Sequence, residues 1–176
     1  MEPLFEQILQ YPLLQPKSLE LERGDFLIHA GDRVDAYYIV QSGLLHAFYV
    51  SEHDEHTIRF GYEGSIITSI PAFYDGSESE LYLQALRKST VYVIQRQALL
   101  TAMDQDPELH RWYIASLEGL AKQQMERELD LLTSSPSERL QRVLELSPLL
   151  FQQAPLKYIA SYLRMTPETL SRIMRK

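Results

Sequence analysis

The chain contains no cysteine. This excludes disulfides, cysteine-ligated zinc, thiolate-held iron–sulfur clusters and a cysteine nucleophile. It also suits a reducing compartment, so the expected location is the cytoplasm. Glycine is scarce, with seven in 176 residues, and no glycine-rich phosphate loop occurs. No apolar run approaches the length needed to cross a bilayer, and the first residues, Met-Glu-Pro-Leu-Phe-Glu, are acidic rather than signal-like. No membrane partner is expected. A G-x-S-x-G elbow and a clear carboxylate pair are both missing, so the chain reads as a non-enzyme.

Positive charge is short overall but unevenly placed. The net charge is −7, which by itself argues against a nucleic-acid binder. From Ser134 to Lys176, however, seven basic residues (Arg139, Arg142, Lys157, Arg164, Arg172, Arg175, Lys176) face three acidic ones (Glu138, Glu145, Glu168), a net of +4. The rest of the chain then holds 10 basic and 21 acidic residues, a net of −11. An acidic body with a basic tail piece is the pattern of a separate DNA-contacting module.

Residues 3–10 read as a short amphipathic helix carrying Leu4, Phe5, Ile8 and Leu9, followed by a connection broken at Pro12 and Pro16. From about Leu21 to Arg96 the apolar period is two. Strands are expected at 26–29, 36–40, 44–50, 56–60, 65–70, 80–86 and 90–94, separated by turn signals at Arg23-Gly24-Asp25, Gly31-Asp32, Ser42-Gly43, Glu63-Gly64 and Asp75-Gly76-Ser77. Many short strands at this spacing predict a jelly-roll sandwich or barrel. Tyr37, Tyr38, Tyr49, Tyr62, Tyr74, Tyr82 and Tyr92 read as strand packing. Glu52, His53, Asp54, Glu55 and His56 have metal-ligand chemistry, but they fall where a polar hairpin tip is expected. His29, His46 and His110 are isolated. No metal is assigned.

Beyond Arg96 the period returns to 3.6. A short helix is expected over 97–103. A long one follows, opened by Asp106 as N-cap, Pro107 and Glu108 and running to about Thr133. At 1.5 Å per residue it would reach about 40 Å. Its stripe of Ile114, Leu117, Leu120, Ala121, Gln124 and Met125 exceeds what covering a small β domain needs, and suggests a second copy of the chain in a coiled coil. Ser134-Ser-Pro-Ser137 breaks this helix. Another is expected from Ser137-Glu138 to Leu146, ended by Ser147-Pro148.

The last twenty-two residues, 155–176, read as helix, turn, helix. Pro155 fits a first helical turn. Ile159, Ala160 and Leu163 share one face, and Ala160 is small where two helices would cross. Thr166 and Pro167 are an N-cap and N1 pair, and Leu170 and Ile173 face inward. Arg164 stands where such turns often hold glycine, so a positive φ there would be strained. The outward face of the second helix carries Glu168, Thr169, Ser171, Arg172, Arg175 and Lys176. Arg can pair bidentately with guanine and Glu can accept from the cytosine amino group.

A jelly roll, a long helix and a terminal helix-turn-helix, in this order, resemble the CRP/FNR family of bacterial transcription regulators over nearly the whole chain. The glycine frame of Arg23-Gly24-Asp25, Ala30-Gly31-Asp32 and Tyr37-Tyr38-Ile39-Val40-Gln41-Ser42-Gly43 is similar to the family's roll. Thr166-Pro167-Glu168-Thr169-Leu170-Ser171-Arg172-Ile173 is similar to its recognition helix. The resemblance implies an α+β fold in three parts: a double-stranded β-helix sensor domain (1–105), a dimerisation helix (106–133) and a small all-α helix-turn-helix domain (134–176). It implies double-stranded DNA and a second copy of the chain as partners, with RNA polymerase as a further one. Base readout would fall to Glu168, Thr169 and Arg172, and phosphate contacts to Lys157, Arg164, Ser171, Arg175 and Lys176. Pro167 replaces the family's first recognition Arg, so the operator should differ from the best-known consensus. The connection from Leu146 to Pro155 is too short for the usual hairpin. The wing of a winged helix is therefore expected to be absent or supplied from outside residues 1–176.

In cAMP-binding members a Gly-Glu pair takes the ribose hydroxyl, and a later Arg-Ser/Thr-Ala takes the cyclic phosphate. Ser65 follows Gly64 here, and Glu80-Leu81-Tyr82 stands in the second place. A carboxylate facing a phosphate is repulsive, so cAMP and cGMP are not expected as effectors and no cofactor is assigned. An effector pocket of another kind would involve Gly64, Ser65, Glu80, Tyr82, Arg87 and Gln124. The alternative is a ligand-binding sensor that acts through protein contacts and has a degenerate DNA-binding segment.

Overall fold

The computed structural model describes residue 11 and residues 14–52 and 54–175. The helix expected over 3–10 lies outside them. The chain divides into two compact units, the first ending at Leu109 and the second being His110–Lys176.

The first unit is a β-sandwich of the jelly-roll kind. Its strands are β1 (Lys17–Leu21), β2 (Phe26–Ile28), β3 (Ala36–Ser42), β4 (Leu44–Ser51), β5 (Asp54–Tyr62), β6 (Ile66–Ile67), β7 (Tyr82–Ala85) and β8 (Ser89–Gln95). They form two four-stranded sheets in the orders β1-β8-β3-β6 and β2-β7-β4-β5. Alternation puts Val40, Val91, Leu21 and Ile67 of one sheet and Leu45, Ala47, Leu83 and Ala85 of the other into a shared core. Within β2 the register shifts between Phe26, opposite Gln84, and Ile28, opposite Leu83. This bulge turns Ile28 into the core and leaves Phe26 outside.

Two similar turns frame the roll. Gly24 donates its N–H to Ala85, whose N–H returns to Asp25. Gly31 donates to Ser79, whose N–H returns to Asp32. In both, the Asp carboxylate accepts from the backbone three residues earlier, from Glu22 in one and His29 in the other. Gly43 is the tightest position: at φ +98 a Cβ would lie 2.2 Å from Ser89 Oγ and 2.6 Å from the Lys88 carbonyl.

The expected strand over 65–70 shrinks to the two residues of β6. Helix α1 (Ile70–Asp75) takes over, with proline in its first turn and Gly76 at φ 73 as its C-cap. The isoleucine-rich stretch reads as a strand, but Pro71 and Gly76 are helix start and stop signals. The strand β1 corrects the expectation of an irregular connection before Leu21. KSLEL is an edge strand exposed at four of its five residues, so it shows little apolar alternation. Helix α2 (Arg96–Gln105) closes the unit.

Helix α3 (Pro107–Leu132) opens as expected, with Asp106 Oδ1 accepting from the N–H groups of Glu108 and Leu109. In the second unit it is followed by α4 (Pro136–Leu146), α5 (Leu150–Gln153), α6 (Leu156–Tyr162) and α7 (Pro167–Met174). The start of α4 corrects the expected one: Ser135, not Ser137, is the N-cap, its Oγ accepting from Glu138 N–H. Pro155 is likewise the N-cap of α6 rather than its first residue. The connection expected to lack a hairpin is occupied by α5.

Candidate nucleic-acid interface

The helix pair at the end of the chain is built from four side chains with no exposed surface: Ile159, Ala160, Leu163 and Leu170. The turn between them is a Schellman closure. Met165 N–H bonds the Ala160 carbonyl and Arg164 N–H the Ser161 carbonyl. It requires the left-handed region, and Arg164 adopts φ 54. The strain anticipated for this residue is therefore present, about 1 kcal/mol. Thr166 caps α7: its Oγ1 accepts from Thr169 N–H at 3.2 Å, and Pro167 and Glu168 occupy the first turn.

Burying Leu170 fixes which side of α7 faces out. Glu168, Arg172 and Arg175 are exposed. Their spacing of four and then three residues puts them on one stripe. Ser171 and Thr169 are half-buried, and Thr169 Oγ1 takes a hydrogen bond from Thr166 Oγ1. Arg164 is exposed in the turn. Lys157 is exposed on α6, with its ammonium 4.4 Å from the centre of the Tyr158 ring. Lys176 lies outside the described residues.

Three other cations are used inside the unit. Arg139 is buried; its Nε donates to the Leu163 carbonyl at 3.0 Å and its Nη1 to the carbonyls of Thr133 and Ser134. Arg127, on α3, donates to the Tyr162 carbonyl and lies over the Tyr162 ring, 3.7 Å from its centre. Burial pushes the Arg127 guanidinium below its ordinary pKa, against the raising influence of Tyr162. Arg142 pairs with the buried carboxylate of Asp130, and the hydrogen bond that its Nε donates to that carboxylate raises its pKa. Arg139 and Arg142 belong to the basic surplus of the tail, and nothing in the sequence marks Arg127 for a role. Each of the three reaches a carbonyl or carboxylate 12 to 35 residues away in sequence, so no local pattern marks them.

Along α3, Ile114, Ala121, Gln124 and Met125 are exposed, and Leu117 and Leu120 are half-buried. Met125 keeps 58% and Leu132 76% of their surface. An apolar strip this open on a 26-residue helix is unusual for a helix without a partner.

The residues suggested for an effector pocket lie on several separate elements of the chain. Ser65 is used in its turn: its Oγ accepts from Tyr62 N–H, while Gly64 N–H bonds the Val40 carbonyl. Glu80 and Arg87 are exposed. Tyr82 pairs across from Phe48 and stacks on it at 5.1 Å, on the face opposite the core residues Leu83 and Ala85. Gln124 belongs to the second unit. His46, on the face of Tyr82, is buried against Phe48 with its Nε2 3.3 Å from Gln84 Oε1. His29 stacks on Phe26 and pairs with Asp32, while His110 is exposed. The β4–β5 hairpin tip holds Glu52 at φ 53; His53 lies outside the described residues. Among the described residues no three His, Asp or Glu side chains are grouped to hold a metal ion.

Residues 18–106 match the family described as cyclic nucleotide-binding domain. Curated relatives are proteins named neuropathy target esterase sws. That of Drosophila melanogaster is 30% identical over 116 residues, and that of Drosophila willistoni 32%. The match spans 61% of this chain but only 8% of those relatives' length. Among solved structures, FixK2 from Bradyrhizobium japonicum superposes with a TM-score of 0.76 at 18% identity, covering 91% of this chain and 83% of that one. The c-di-GMP responsive global regulator CLP of Xanthomonas campestris gives 0.72 at 15%, covering 97% and 90%. The Thermus thermophilus catabolite activator protein gives 0.59 at 22%, covering 99% and 84%. At these identities the likeness is one of fold. No helix among the described residues is long and apolar enough to cross a membrane.

Proposed function

Because the chain belongs to the cyclic nucleotide-binding domain family, we propose that it is a DNA-binding transcription regulator of the CRP/FNR type, a homodimer that reads a pseudo-palindromic operator and is not controlled by cAMP. The observation that carries this reading is the outward stripe of α7. Glu168, Arg172 and Arg175 project from a capped helix whose other side is anchored by the fully buried Leu170. The fold likeness to the named regulators over more than nine-tenths of this chain supports it.

In this reading Glu168, Thr169 and Arg172 contact base edges. Lys157, Arg164, Ser171, Arg175 and Lys176 contact phosphates and set the register. Two copies pair through the exposed strip of α3, and their α7 helices enter successive major grooves about 34 Å apart. RNA polymerase would be the downstream partner of such a regulator. Against cAMP stands the chemistry of the roll: Ser65 is engaged in its own turn, and Glu80 stands where a phosphate would need a cation. Calorimetry should show no micromolar binding of cAMP.

Selection of bound duplex from a random pool tests the reading. Recovery of a palindrome with half-sites near ten base pairs apart supports it, and no enrichment favours a sensor that works through protein contacts. With the operator in hand, Arg172→Ala should relax discrimination at one base pair of each half-site by about 1–3 kcal/mol. Unchanged binding across operator variants would remove Arg172 from base readout.

A further inference from the structure

We propose that Arg127 is a positioning residue that, with Arg139, sets the direction in which α7 is presented from α3. This rests on the reading of α7 as the DNA-contacting helix. The last carbonyls of a helix have no intrahelical partner and carry its partial negative charge. At the end of α6 those of Tyr162 and Leu163 are each taken by a guanidinium, Arg127 from α3 and Arg139 from α4. Arg139 also bonds the carbonyls of Thr133 and Ser134 just beyond α3, and Arg142 on α4 reaches back to Asp130 on α3. Each of the three helices α3, α4 and α6 is thus tied to the other two by a charged group.

Only the closed turn from Leu163 to Thr166 separates that triangle from α7, and the buried Leu170 fixes the roll of α7 on α6. Arg127 supplies the direct side-chain tie from α3 to the end of α6. Its stacking on Tyr162 adds a planar constraint that a point charge would not impose. Arg127 is engaged inside the unit, and the proposal gives it no contact with DNA.

The test uses the full chain and the operator recovered by the wild-type protein. Arg127→Met keeps the side-chain stem and removes the guanidinium. Binding is measured on that operator and on versions with one base pair inserted or deleted at its centre, over a range of salt concentrations. The expected result is about a tenfold loss on the parent operator. The preference for the parent spacing should also flatten, the dimer should persist in sedimentation, and the salt slope should be unchanged. Lys157→Ala, a phosphate-contact control, should weaken all spacings alike and lower the salt slope by about one. Should Arg127→Met lose its helical circular dichroism, Arg127→Lys carries the same test, keeping the cation but not the planar fork. An unchanged spacing profile overturns the inference, as does a reduced salt slope, which would make Arg127 a phosphate contact. Failure of the wild-type protein to select any operator overturns the regulator reading and this inference with it.

Discussion

In the roll, the groups that meet across the interior are aliphatic: Val40, Val91 and Ile67 from one sheet, Leu45, Leu83 and Ala85 from the other. In the helical unit the apolar core is smaller, and guanidinium groups of Arg127, Arg139 and Arg142 close the spans between helices. A two-layer sandwich satisfies its backbone within the sheets and can afford an interior without charge. Four short helices after a long one leave many unpaired carbonyl ends and little apolar area to bury. Arginine serves that situation twice, satisfying carbonyls with its fork and covering apolar surface with its stem. The roll should therefore answer mainly to changes of volume and backbone shape, and the helical unit to the loss of single cations.

The sharpest test on the roll side is Gly43→Ala. The added Cβ would lie 2.2 Å from Ser89 Oγ on a backbone at φ +98, and the cost should exceed about 3 kcal/mol. Chemical denaturation followed by near-ultraviolet circular dichroism reads it; wild-type stability would show that the β3–β4 turn can move.

On the helical side, Arg139→Met should destabilise the second unit by about 2–4 kcal/mol, because the buried carbonyl of Leu163 and the more open ones of Thr133 and Ser134 lose a charged donor. Thermal unfolding followed at 222 nm measures it. A variant as stable as the parent would break the contrast between the units, since an apolar stem would then suffice.

Arg164→Gly should act in the opposite direction. It relieves φ 54 and should raise stability by about 0.5 kcal/mol once the greater freedom of unfolded glycine is counted. The same substitution should weaken DNA binding if Arg164 contacts phosphate, so denaturation and binding measured together separate strain from charge.

The smallest effect concerns a charge in the roll. Hydrogen bonds from Ser77, chiefly its side chain and then its backbone N–H, hold the exposed Asp75 carboxyl below the usual aspartate value. Its contribution is present above the unfolded pKa and lost as pH falls through the lower folded one. Ser77→Ala should move the Asp75 titration, followed by carbon NMR, back toward the ordinary value while leaving the melting temperature nearly unchanged. A large drop in melting temperature would show that polar contacts matter to the roll more than the comparison allows.

Much of this was legible in residue order. Period-two stretches marked most strands, Asp106-Pro107-Glu108 marked the start of α3, and Thr166-Pro167 marked that of α7, because these signals act within a few residues. The misses have equally definite causes. β1 is a mostly exposed edge strand, α1 hides in an isoleucine-rich stretch, and two serines compete to cap α4 until the fold selects Ser135. The effector-pocket residues rest on resemblance, which carries no information on facing: in β7 neighbours take opposite faces, and Tyr82 lies on the side away from Leu83, which joins the core.

Composition and order alone established that the tail is basic, that α3 bears an apolar strip, and that a capped helix carries Glu168 and Arg172 on its outward side. Which cations remain for a partner was decided only in three dimensions. Arg139 and Arg127 find their carbonyls 24 and 35 residues further along the chain. A hydrogen bond over such a separation depends on how helices pack, and packing places two residues side by side without leaving any mark in the sequence around either of them.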